Sequence, residues 1–84
     1  IQQPVKDAAL LARDNGWDTV AWRINMPSFS VYRGMPTPRR APRDGEVVLT
    51  RAEHLPQLGV AGLEILYARG GVVLARLPPG GTAR

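Results

Sequence analysis

Eighty-four residues make one domain: a chain this short buries about 60–65% of the surface that its unfolded form exposes, so its core is small. The absence of Cys excludes disulfide and zinc-thiolate scaffolds and leaves the redox compartment open, and no apolar run nears the ~20 residues of a membrane span. With 44% hydrophobic and 21% charged residues the composition is that of a soluble globular domain, and its formal charge of +4 is the feature to localise.

Residues 4–15 predict a helix. Pro4 suits the first helical position, where a missing N–H costs nothing, and Asp7 lies near the positive end of the dipole. Val5, Ala8, Ala9 and Ala12, with Leu11 beside them, form an apolar stripe. Asn15-Gly16 supply the C-cap, and Trp17 follows where a contact back onto the last turn is expected. Residues 18–25 predict a strand in which Val20, Trp22 and Ile24 alternate with Ala21, Arg23 and Asn25. Residues 28–33 predict a second strand, with Phe29 and Val31 on one face and Ser28, Ser30 and Tyr32 on the other.

Residues 34–45 read as an irregular, mobile Pro/Arg-rich arm that closes on the turn Asp44-Gly45. Residues 46–50 predict a third strand, and Thr50-Arg51-Ala52-Glu53 matches a capping box, so a short helix over 51–57 is expected. The clearest pair is the hairpin 63–68 and 72–77, joined by Arg69-Gly70-Gly71. Residues 78–84 read as a flexible tail. The expected fold is α+β: an N-terminal helix packed on a four- to five-stranded, mainly antiparallel sheet, with a short helix before the C-terminal hairpin. The expected core is Val20, Trp22, Ile24, Phe29, Val31, Val48, Leu55, Leu63, Ile65 and Leu74, and Trp17 is expected to be largely buried too.

Of the eleven basic residues all but Lys6 are Arg. Segments 1–32 and 44–84 are each electrically neutral, so the whole excess falls on Arg33, Arg39, Arg40 and Arg43, in a stretch without acids that also carries Pro36, Pro38 and Pro42. Prolines at that density favour extended backbone and exclude helix. Arginine forks suit phosphate and carboxylate, so an anionic partner is expected, either nucleic acid or an acidic protein. Tyr32, at the mouth of the arm, is placed to stack a base, and Arg23 on the neighbouring strand extends the same face. The string Tyr32-Arg33-Gly34 resembles the Arg-bearing strand of ADP-ribosyltransferase toxins over three residues. That family's Ser-Thr-Ser strand and Glu-x-Glu loop have no counterpart here, which sets the comparison aside.

Catalytic signals are sparse. The single His, His54, has only Glu53 and Arg51 as sequence neighbours; were the chain an enzyme, His54, Arg51 and Tyr32 would be its candidates. One His, no Cys and scattered acids form no metal site, and the glycine pairs read as turns, so no cofactor is expected. A binding role is expected ahead of an enzymatic one. The chain reads as a small basic module that contacts an anionic partner through the arm 33–43. A small bacterial ribonuclease-type toxin is the alternative, on fold analogy. A protein–protein accessory domain of a larger chain is a second, since the hairpin offers an edge for strand addition. The Arg-for-Lys and Pro-rich usage fits a GC-rich genome. No signal-peptide pattern is present, which makes the cytoplasm the default expectation, and the start at Ile1 rather than Met is that of a processed chain or a domain of a longer one. Composition leaves the oligomeric state open.

Overall fold

The computed structural model describes residues 3–78, so the expected tail beyond Pro78 lies outside the described residues. They form a small α+β domain of two α-helices and a four-stranded mixed sheet. Among them no helix is long and apolar enough to cross a membrane.

Helix α1 (Gln3–Asn15) forms where expected, with Val5, Ala8, Ala9 and Ala12 buried along one side. Its end is a Schellman turn: Gly16, at φ 65°, donates to the carbonyl of Arg13, and Trp17 N–H donates to that of Ala12. The turn leads into strand β1 (Thr19–Ala21), which is shorter than the expected 18–25. Arg23 adopts a left-handed conformation, at φ 54°, and ends the extended run. That reversal separates the expected alternating set. Val20 and Trp22 pack on one face of the sheet, whereas Ile24 joins the core on the other.

Residues 28–33 are not a strand. They belong to a second helix, α2 (Pro27–Arg33). Pro27 stands at its start, where a fixed φ favours helix, and Gly34 closes it at φ 84° with its N–H donating to the Ser30 carbonyl. Helical spacing points Phe29 and Arg33, four apart, inward and turns Val31 away. Phe29 is 1% exposed and Val31 77%, whereas a strand would have put both on one face.

Strand β2 (Val47–Arg51) pairs in parallel with β1, Val20 lying opposite Val48. The connection through α2 and the arm is long enough for a crossover, so the sheet is mixed: this one pairing is parallel and the other two are antiparallel. The capping box does not form. Thr50 and Arg51 stay in the strand, the chain turns at 52–54, and a 3-10 turn (Leu55–Leu58) follows with no side-chain cap. Strands β3 (Glu64–Arg69) and β4 (Val72–Arg76) make the expected hairpin. Gly70 and Gly71 both have positive φ, as a type I′ turn needs. β4 pairs with β2, and the strand order is β1-β2-β4-β3.

The two central strands are covered on both faces, which buries nearly every residue of β2 and β4. Val47, Leu49, Val72 and Leu74 meet α1 and Phe29; Val48, Val73, Ala75 and Leu77 meet Trp22, Leu55, Leu58, Val60 and Leu63. Of the expected core, Val20, Ile24, Phe29, Val48 and Leu74 are buried, and Trp17, Trp22, Leu55 and Leu63 are half-buried. Val31 and Ile65 are exposed, the first by helical phase and the second by its place on an edge strand.

The helical assignment of 27–33 makes a direct test. Phe29→Ala should destabilise by about 3–5 kcal/mol, and Val31→Ala should stay within about 0.5 kcal/mol of the parent in denaturant melts. Comparable losses at both positions would restore the strand.

Candidate functional site

The arm begins with an arginine that faces inward. Arg33 is 4% exposed, and its fork reaches three acceptors. Nη1 donates to the Pro36 carbonyl at 2.9 Å and to Thr37 Oγ1 at 3.2 Å, and Nη2 donates to the Trp17 carbonyl at 2.9 Å. Among the described residues no carboxylate pairs with it. Burial pulls its pKa down from the ordinary arginine value, and the field of Asp18 opposes that shift. Arg33 is therefore a strut joining the α1–β1 turn to the arm, its guanidinium turned to internal acceptors rather than to solvent. Because it sits in a helix, the resemblance of Tyr32-Arg33-Gly34 to a toxin strand does not extend to the structure.

Held at its root, the arm runs beside β1. The Ala21 N–H donates to the Pro38 carbonyl at 2.8 Å, and the Arg40 N–H donates to the Ala21 carbonyl at 3.0 Å. Ala21 and Arg39 thus form an isolated parallel bridge on the outer side of β1. Farther on, Arg40 makes a two-pronged ion pair with Glu46, at 2.8 and 2.7 Å, and the Arg43 N–H donates to Glu46 Oε1 at 2.7 Å. The Arg40 hydrogen bond leads in holding the Glu46 carboxyl at about 2, helped by the bond from the Arg43 backbone and by the charges of both arginines. Among the described residues the segment has no helix or strand of its own, and contacts at Arg33, Ala21 and Glu46 dock it on the domain.

Pairing sorts the four arm arginines. Arg33 and Arg40 are engaged, while the guanidiniums of Arg39 and Arg43 are exposed and have no hydrogen bond or ion pair among the described residues. Arg39 also lines a pocket of about 250 Å³ between the segment after β1, α2 and the arm. Ile24, Met26, Phe29 and Leu49 give the pocket an apolar floor, and Asn25, Ser30 and Thr37 add polar groups. Sequence reasoning missed this pocket, since its walls come from four separate segments and no motif marks them.

The remaining expected site residues scatter. Tyr32 packs half-buried against the helical core, with the Lys6 ammonium 5.7 Å from its ring centre, so it does not present a free stacking face beside the arm. Arg23 is exposed and lies over the Trp22 ring at 5.0 Å. His54 is half-buried at the head of the 3-10 turn, with Nδ1 buried without a partner and Nε2 3.9 Å from Glu53. The His54 backbone N–H donates to the Arg51 carbonyl, but Tyr32 belongs to the helical face, so the structure does not assemble His54, Arg51 and Tyr32 into one centre. No group of three or more His, Asp or Glu among the described residues is arranged to hold a metal ion. The chain matches no family model, no characterised protein and no solved structure.

Two measurements check the pinning of the arm. Arg33→Lys keeps the charge but loses the fork, and should cost about 2–3 kcal/mol in denaturant melts. Glu46 titrates at about 2 in the folded chain against an ordinary 4.5, so its stabilisation is complete above 4.5 and fades as pH falls toward 2. The Arg43 amide resonance should follow that titration, and Glu46→Gln should abolish it.

Proposed function

We propose that this chain is a small basic binding module for single-stranded nucleic acid, seated where the arm crosses the outer side of β1. The observation that carries this reading is Arg39: an unpaired, exposed guanidinium at the wall of an apolar-floored pocket, on a backbone fixed by the bridge to Ala21. A phosphate beside Arg39, with its neighbour toward Arg43, leaves a splayed base free to enter the pocket. There Ile24, Met26 and Phe29 meet its ring, and Asn25, Ser30 and Thr37 offer hydrogen bonds to its edges. A paired base must first unpair and unstack, which costs a few kcal/mol, so single strands are favoured over duplex. Arg33 and Arg40 act one step back, fixing the backbone that carries Arg39.

A salt titration of binding to mixed-sequence RNA tests the proposal. Each phosphate contact on a single strand contributes about −0.7 to the slope of log affinity against log salt, so Arg39→Ala with Arg43→Ala should flatten the slope by about 1.4. Ser30→Leu, which adds bulk within the pocket, should weaken binding without altering that slope. Absence of salt-sensitive binding by the parent, or an unchanged slope in the double variant, would overturn the reading. Cleavage of the labelled RNA in the same tubes would favour a ribonuclease instead.

A further inference from the structure

Strand β3 is the open edge of the sheet. It pairs on one side with β4, and each of its residues is exposed or half-buried. Ile65, at 50%, is among the most exposed large apolar side chains. An irregularity between Ile65 and Tyr67 inserts Leu66 without a partner on β4. The insertion changes which way the strand faces. Opposite Arg76, Leu74 and Val72, the residues Glu64, Tyr67 and Arg69 lie on the helical face, and Leu66 packs against the same core. Ile65 and Ala68, opposite Ala75 and Val73, lie on the other face. Read in either direction, the strand therefore gives the same facing order. Its ends also complement each other, Glu64 at the start and Arg69 at the finish. Glu64 is 62% exposed in its one ion pair with Arg76, and the Arg69 guanidinium makes none among the described residues.

From this we infer that β3 pairs with β3 of a second copy of the chain, antiparallel about a two-fold axis between Leu66 and Tyr67. Across that axis Glu64 meets Arg69 of the partner on the helical face. Ile65 meets the partner's Ala68 on the opposite face, which covers the exposed isoleucine, and Leu66 meets the partner's Tyr67. A regularly alternating six-residue strand could not pair its first residue with its last in this way, because the two would face opposite sides. The bulge supplies the missing half-turn of phase. The two sheets join into one of eight strands, with an arm at each outer end.

Sedimentation equilibrium over micromolar to millimolar concentrations measures the association, and charge exchange tests its geometry. Glu64→Arg leaves only basic groups at the two positions and Arg69→Glu only acidic ones. Either variant alone should self-associate at least about tenfold more weakly than the parent, since two-fold symmetry counts each repulsion twice. An equimolar mixture of E64R and R69E should regain the parent's affinity as a heterodimer, and the double variant E64R/R69E should regain it as a homodimer. Circular dichroism melts confirm that each chain is folded. A parent that stays monomeric throughout, single variants that associate like the parent, or a mixture of folded E64R and R69E that does not associate would each overturn the inference.

Discussion

The fold turns on one buried guanidinium. Arg33 lies at the end of α2 and holds the Trp17 carbonyl, sixteen residues earlier in the chain, together with Pro36 and Thr37 just after it. The Trp17 carbonyl also accepts from Thr19 Oγ1, so the turn that launches β1 is fastened from both sides. A carboxylate partner would neutralise the charge but bring its own desolvation cost. Two carbonyl oxygens and the Thr37 hydroxyl take up the Nη groups of Arg33 with no second ion to bury, while Nε stays buried without a partner among the described residues. Where α2 ends, where β1 begins and how the arm departs are settled together, and the arm's course beside Ala21 follows from that departure.

The electrostatic character of the surface follows from the same arrangement. A segment that is uniformly basic on paper is divided by the fold into engaged and unengaged arginines. Arg33 faces the interior and Arg40 is matched by Glu46, an acid placed just beyond the turn at Gly45. Arg39 and Arg43 remain, separated by the docked backbone, and it is their spacing along a fixed path that supports a phosphate-reading role. A mobile arm would lose conformational entropy on every encounter with a ligand; one already pinned has much less to lose.

Helix α1, β2 and the glycine hairpin were legible in the sequence because their signals are local: an alanine stripe with Asn15-Gly16 behind it, a run of valines, and two glycines in a tight loop. The error at 28–33 shows the limit of period-two patterns over short windows. Ser28, Phe29, Ser30, Val31 and Tyr32 alternate cleanly, yet the punctuation around them, Pro27 before and Gly34 after, is that of a helix, and the punctuation won. The left-handed backbone at Arg23 leaves no mark in composition, so the early end of β1 was not readable. At the site, the cluster of arginines was plain, but their partners were not. The Trp17 carbonyl and the pairing of Ala21 with Arg39 are set by tertiary contacts across distant segments. Glu46 was close enough in sequence to have suggested a partner for Arg40.

The position of the arm also bears on how far a sheet of this kind can grow. Ala21 has both backbone groups occupied by arm residues, and Pro36, Pro38 and Pro42 have no N–H to offer beyond them. At Ala21 the flank of β1 is thus obstructed by the chain's own backbone, which leaves β3 as the longer open edge. Head-to-tail stacking, in which each molecule presents one edge and receives another, would run on without limit into a filament. With the β1 flank obstructed at Ala21, that route is disfavoured, and pairing of β3 with β3 about a two-fold axis closes at two molecules. The arm is in this sense a terminator, and a chain in which Arg33 or Glu46 let go of it would lose a safeguard against fibre growth.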